Sequence, residues 1–372
     1  MSEEITDETE YWDNGMVKVE FRNKDGILEG LATHWYESGK KYYETHFKNG
    51  EQEGLETYWY ESGEKEKEVH YKNGILEGTV TEWYKSGQRE SEDHYKNGEQ
   101  EGLSTHWYES DEKNTEFHFK NGTLEGLEIT WCENKEMEID HKNGKIEGLT
   151  TGWYESGEKE FERHYKNGKV EGLSTHWYES GKKWMESHHK NGEKEGLETG
   201  WYESGEKEGE VHYKNGILEG TVTSWYKSGQ KWMESHFKNG KIEGRGTTWY
   251  ESDEKNTEFH FKNGTLGGLE ITWCENKKTE FHHKNGKQEG LGTLWYKSGE
   301  KKCEIHFKNG KEEGLMTSWY ESGKKKSETH YKNGELEGVR EEWYESGKKK
   351  SIKHFKDDLE NGIRTEWDED GT

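Results

Sequence analysis

The sequence predicts an all-β fold, an elongated and twisted antiparallel sheet of about 15 tandem β-hairpin repeats. Three observations carry this. Tryptophan recurs from Trp12 to Trp367, and most intervals, such as Trp35 to Trp59 and Trp59 to Trp83, are 24 residues. Every interval repeats one skeleton, shown by Leu55 to Gly78, L-E-T-Y-W-Y-E-S-G-E-K-E-K-E-V-H-Y-K-N-G-I-L-E-G. Within it, two stretches of alternating character are separated by two different turn signals.

The first strand holds Leu55, Thr57 and Trp59, alternating with Glu56, Tyr58 and Tyr60. That is the period of two of a strand with one buried face. The E-S-G that follows reads as a three-residue hairpin loop ending on a left-handed Gly with a bulge. Asp111 and Asp253 replace that Gly in two units, and Asp is among the few residues that tolerate the conformation. The second strand runs from about Lys65 to Tyr71. With Glu61, Ser62 and Gly63 as the loop, Trp59 falls opposite Lys65, Thr57 opposite Lys67 and Leu55 opposite Val69. This places the Trp column beside Val69 on the inner face and Tyr60, Glu68 and His70 on the polar face. A two-residue loop would set His beside Leu and is rejected. Next, Lys72-Asn73-Gly74 gives a two-residue turn pairing Tyr71 with Leu76. A bulge at Glu77-Gly78 would let both Leu76 and Thr79 reach the inner face.

Two units, Trp131 to Trp153 and Trp273 to Trp295, span 22 residues. Loss of two residues removes one cross-strand rung and preserves which side chains point inward, whereas loss of one would invert a strand. Residues 71–88 reappear at 213–230 and 107–124 at 249–266, an offset of 142 that equals five units of 24 and one of 22. A block of six repeats is therefore duplicated. Residues 1–10 read as an acidic N-terminal segment, 11–367 as the array and 368–372 as an acidic tail.

Only 26% of the 372 residues are hydrophobic and 36% are charged, which in an aperiodic chain would predict disorder. The 18 Trp, 21 Tyr and 11 Phe decide against it, since each large ring in register buries roughly 150 to 250 Å². The formal charge of −25 disfavours nucleic acid and anionic membrane as partners. The start, M-S-E-E-I-T-D-E-T-E, has no apolar stretch of secretory type, and three Cys are too few for a disulfide framework, so a cytoplasmic location is expected.

The pattern G-L-x-T-x-W-Y-E-S-G-x-x-x-x-E-x-H-Y-K-N-G-x-x-E-G, recurring from about Tyr11 to Trp367, resembles the MORN-repeat family. It is closest to the bacterial variant repeat found in YwqK-type antitoxin-like proteins. The resemblance implies stacked antiparallel hairpins used for protein or lipid contact, with no catalytic residues to carry over. Trp in place of the usual Tyr or Phe, and a recurrent His in the second strand, depart from that pattern.

Chemistry in the columns is weighed against packing. The His column, including His70, His94 and His212, is expected as a surface pair with Glu and Tyr. Equivalent strands lie about 9.5 Å apart, too far for neighbouring His to share zinc at about 2.0 to 2.1 Å. The Trp column reads as the core of the stack. Neither a nucleophile with its base nor a Gly-rich phosphate loop nor Cys/His metal spacing rises above the repeat, so no catalytic residue, cofactor or metal is expected. Trp184 and Trp232 break the pattern by replacing Glu or Lys on the polar face. With Tyr178, His188, Tyr226 and His236 they form the candidate partner-binding strip. The expected function is a non-enzymatic, monomeric scaffold for another protein, antitoxin-like in type. The alternative is an aromatic-rich ligand-binding module of the choline or glycan type.

Overall fold

A computed structural model of the chain describes residues 4–132, 135–274 and 277–371. Among them every regular element is a strand, 39 in all, antiparallel to its bonded neighbours. They form two compact units, residues 1–182 with 189–192, and residues 183–188 with 193–372. In each unit the strands follow one another in chain order as a meander of hairpins. The acidic start and tail fall partly outside the described residues, at 1–3 and 372. Residues 5–10, expected to precede the array, form the strand Ile5–Tyr11 paired with Val17–Lys24.

The hairpin Gly54–Trp59 and Lys65–Lys72 shows how one repeat is made. Its loop is the one expected. Tyr60 N–H donates to the Glu64 carbonyl at 2.9 Å and Gly63 N–H to the Tyr60 carbonyl at 2.8 Å. Gly63 has φ 110°, and Asp111 and Asp253 take the same place at 71° and 68°.

The expected faces are overturned by the next residue. Trp59 pairs with Lys65, but Tyr58 pairs with Lys67, so Glu66 is an extra residue bulged out of the ladder. A one-residue slip carries every later side chain to the other face. Leu55 therefore stands opposite His70 and Glu56 opposite Val69. The arrangement that a two-residue loop would have required is produced by a three-residue loop and a bulge.

One face thus carries Glu56, Tyr58, Lys67, Val69 and Tyr71, and the other Leu55, Thr57, Trp59, Glu68 and His70. The buried apolar side chains Val69, Val80, Ala32 and Ile305 lie on the first, where Val69 also pairs with Val80 of the next hairpin. Small polar residues close the same positions elsewhere, among them Thr45, Ser187 and Ser235. Large and small alternate across the rungs. A Cβ on Gly246 would collide with the Phe259 ring opposite it. On the second face Thr57, Thr105 and Thr223 are buried between half-buried tryptophans.

Asn73 (φ 49°) and Gly74 (φ 73°) make the two-residue turn, pairing Tyr71 with Leu76 and Lys72 with Ile75. These angles are those of the turn that matches strand twist. The bulge at Glu77-Gly78 is present, with Gly78 at φ 104°. It inserts two residues between the Tyr71–Leu76 and Val69–Val80 rungs, so parity is kept. Thr79 then pairs with His94 on the Trp side instead of joining Leu76.

In the first short unit Cys132 pairs with Lys135, Trp131 with Glu136 and Glu128 with Ile139, with no shift of register. The two missing residues thus remove the bulge, where loss of a rung was expected. The face assignment survives, since Glu128 and Ile139 stand as Glu56 and Val69 do. No helix among the described residues is long and apolar enough to cross a membrane.

Candidate functional site

The recurrent polar residues are first of all fasteners between repeats. Glu53 accepts the Asn73 N–H at 2.9 Å, and Glu77 accepts that of Asn97 at 2.8 Å. The E-G glutamates thereby anchor the left-handed Asn of the following turn, and Glu337 does the same for Asp357. Tyr60 Oη donates to the Trp83 carbonyl at 2.8 Å, as Tyr36 does to Trp59 and Tyr226 to Trp249.

The His column is tied inward by Nδ1, which lies 3.0 Å from the Thr79 carbonyl in His70 and 2.8 Å from the Leu103 carbonyl in His94. Donation to that carbonyl places the proton on Nδ1. The expected pairing of His with the preceding Glu is not found, because Glu68 takes Lys65. That lysine bridges two repeats, its Nζ lying 5.7 Å from the ring centroid of Trp83. Lys41 does the same with Glu44 and Trp59, and Lys231 with Glu234 and Trp249. The Trp column is therefore roofed by ammonium groups. Among the described residues no group of three or more His, Cys, Asp or Glu is placed to hold a metal. Cys132, Cys274 and Cys303 are free thiols.

The six candidate strip residues do not share one face. Tyr178 and Tyr226 begin hairpin loops, bonding the Lys182 and Gln230 carbonyls through their amides, and the Tyr226 hydroxyl is spent on Trp249. Trp184 and Trp232 are 44% and 45% exposed and hold the repeat position of Glu66, which at Trp232 is the bulge. Trp184 lines a cleft with Met185, Glu198 and Val211, on the Val69-type face. His188 is exposed, and His236 stands opposite Thr221 on the Trp-type face. The unforeseen bulge is the physical reason.

Two surfaces result. On the Trp side of the first unit Leu31, Leu55, Leu103 and Leu173 are 38 to 42% exposed, and on that of the second Leu197 and Leu315 are 38 and 39% exposed, each Leu adjoining the His column. On the opposite side of the first unit lies a cleft of about 570 Å³. Tyr36, Tyr42, Tyr58, Tyr60 and Tyr71 line it together with Glu56, Glu66, Glu82, Glu90 and Lys67. Glu56 is 2% exposed and accepts hydrogen bonds from Tyr58 Oη at 2.7 Å and Gln52 Nε2 at 2.6 Å. Burial, and then the bond to Glu56, push the Tyr58 phenol far up, so it remains a donor. Lys67 is held by Glu82 at 2.7 Å. The sequence signal for this cleft was Tyr58, whose place is Gly200, Ser224 or Thr248 elsewhere.

The MORN repeat variant matches ten stretches, 28–49, 52–73, 76–97, 146–167, 170–191, 194–215, 218–239, 288–309, 312–333 and 336–357. Together these are more than half of the sequence. The chain belongs to the MORN-repeat family. The two internal gaps in the matches contain the first part of each short unit and the repeats in which Asp111 and Asp253 replace Gly. No curated protein matches the chain. Among solved structures, the array is similar to "Crystal Structure of TcdB2-TccC3", with 11% identity and TM-score 0.17 over 93% of this chain and 18% of that one. A second, "Crystal Structure of TcdB2-TccC3-TEV", has 9% identity and TM-score 0.14 over 93% of this chain and 23% of that one. The chain thus spans less than a quarter of the length of these proteins.

Proposed function

We propose that this MORN array is a non-enzymatic, monomeric and cytoplasmic scaffold that binds another protein through the face carrying its Leu, His and Trp columns. The observation that carries the reading is the column of half-exposed leucines, repeated at the interval of the unit and bordered by imidazoles and lysines. Apolar side chains with a polar surround are what a protein-binding surface offers. The charge of −25 favours a basic partner and faster encounter with it. An antitoxin-like role would be one form of such a scaffold, with a basic toxin as partner.

The test is photo-crosslinking in the native host, with a benzophenone amino acid at Leu31, Leu55 or Leu103 and, as the opposite-face control, at Tyr71. One basic protein should be captured from all three Leu positions and not from Tyr71. Capture from Tyr71 alone, or from none, would remove this surface from consideration.

A further inference from the structure

We propose that the tyrosine cleft of the first unit is a binding site for an alkylammonium cation, such as a quaternary ammonium or a methylated lysine side chain. This goes beyond the scaffold reading and rests on the opposite face of the sheet.

The fold itself shows where such a cation sits. In three later repeats the bulge residue is a lysine whose Nζ lies over the loop tyrosine six positions earlier. Lys302 lies 5.9 Å from the Tyr296 ring centroid, Lys326 5.6 Å from that of Tyr320, and Lys350 5.5 Å from that of Tyr344. Around Tyr36 and Tyr60 the same two positions hold Tyr42 and Glu66. The internal ammonium is replaced by a third ring and a carboxylate. Tyr42 packs against its neighbours edge-on or tilted, 5.0 Å from Tyr36 and 6.1 Å from Tyr58. Such rings turn faces and edges into the same space, as in sites that enclose quaternary ammonium groups.

Charge favours the same ligand. The carboxylates of Glu56, Glu66 and Glu90 face the cleft, and its lysine, Lys67, is already paired with Glu82. Buried Glu56 is held by two neutral donors, Tyr58 and Gln52. Its carboxylate is thus desolvated without a cation from those bonds, and an arriving ammonium would supply one.

The duplicated block provides an internal contrast. Trp184, Glu198, Gly200, Glu208, Gly209 and Val211 line a smaller cleft of about 210 Å³. They lie 142 residues beyond Tyr42, Glu56, Tyr58, Glu66, Lys67 and Val69. There Gln52 is replaced by Lys194, which pairs with Glu198, and the Tyr58 ring is missing at Gly200. The second copy has neutralised itself and lost a wall, so the first is the cation site.

The experiment titrates the full chain with tetramethylammonium, choline and an N-acetyl-trimethyllysine amide, following tyrosine side-chain NMR signals. The neutral isostere 3,3-dimethylbutan-1-ol is the control. The cations should shift Tyr42, Tyr58 and Tyr60 and bind about tenfold or more tightly than the isostere. Tighter binding of choline would assign the site to a free ligand, and tighter binding of the lysine derivative to a side chain of a partner. Glu66→Lys and Gln52→Lys each introduce a residue the fold already holds at the equivalent position, so the chain should stay folded while binding falls by about tenfold. Equal affinity for the isostere, no response of the tyrosines, or unchanged binding in both folded variants would overturn the proposal.

Discussion

The hydroxyl of Tyr60 donates to the carbonyl oxygen of Trp83, 23 residues further along, at 2.8 Å. Backbone pairing between Lys65–Lys72 and Ile75–Trp83 stops at Lys67 and Glu82, because Glu66 is bulged out of line. Trp83 is left beyond the last rung, and the tyrosine of the preceding loop satisfies its carbonyl. Burial raises the phenol above its ordinary value, so the donor stays protonated. Tyr60→Phe removes the bond and strands the carbonyl, at a cost of about 1 kcal/mol. Urea denaturation followed by tryptophan fluorescence checks this, and an unchanged midpoint would show that water replaces the hydroxyl without loss.

Glu53 makes the corresponding tie at the other end of the hairpin by accepting the Asn73 N–H. Glu53→Gln keeps an acceptor and should be nearly neutral, while Glu53→Ala should cost about 0.5 to 1 kcal/mol. Hydrogen exchange at the Asn73 amide is the local readout. Faster exchange is expected in the Ala variant alone.

Val69 is 3% exposed and packs on the rung shared by Glu56 and Val80. Val69→Ala should cost about 2 kcal/mol through lost burial and the cavity left behind. His70→Ala on the other face loses its single tie to the Thr79 carbonyl and should cost about 1 kcal/mol or less. Thermal unfolding of both variants separates them. A larger loss from His70→Ala would mean that the His side is the packed side.

Both turns and the Glu-Gly bulge were legible because each depends on a residue with special backbone freedom at a fixed place, and the period and the duplicated block because Trp and whole stretches recur in the sequence itself. Asn73, Gly74 and Gly78 all take positive φ, and few residues can stand in for them. The bulge at Glu66 carries no such mark. Its place is filled by Tyr42, Trp184, Lys302 or Asn114 as readily as by Glu, because a bulge of this kind needs no left-handed residue. Missing it turned the second strand of the hairpin over against the first and merged Trp184 with His188 into one strip. The recurring Lys65 and Glu68, which pair across the bulge, were the available clue. The cleft was hidden for the same reason, since Tyr58 and Tyr71 share a side only once the bulge is counted.

His106 and Asp93 lie together on the Val69-type face, with Nε2 3.8 Å from Oδ1. The Asp93 carboxylate beside it holds the His106 imidazolium above its ordinary value of 6.5, against the effect of burial. Burial opposes ionisation of Asp93, but the neighbouring His106 imidazolium and the hydrogen bond from Ser104 hold its carboxyl below 3.8. The His106 contribution to stability is present below pH 6.5 and is lost as pH rises through its folded value. That of Asp93 is present above pH 3.8 and is lost as pH falls through its own. His34 goes the other way, since burial lowers it. NMR titration should place the His106 midpoint above 6.5 and that of His34 below. Asp93→Asn should bring His106 down, and no movement would deny the pair.

The claim on which both surfaces depend is that one bulged residue sets Leu55 opposite His70 and Val69 on the reverse side. Disulfide trapping tests it most directly, in a background with Cys132, Cys274 and Cys303 replaced by Ser. Directly opposed side chains have Cβ atoms about 4.5 to 5.5 Å apart, within reach of a crosslink after small adjustment. Leu55→Cys with His70→Cys should oxidise readily under mild conditions, and Leu55→Cys with Val69→Cys should stay reduced. Crosslinking of the Leu55 and Val69 pair, with the Leu55 and His70 pair inert, would contradict the register and both binding faces with it.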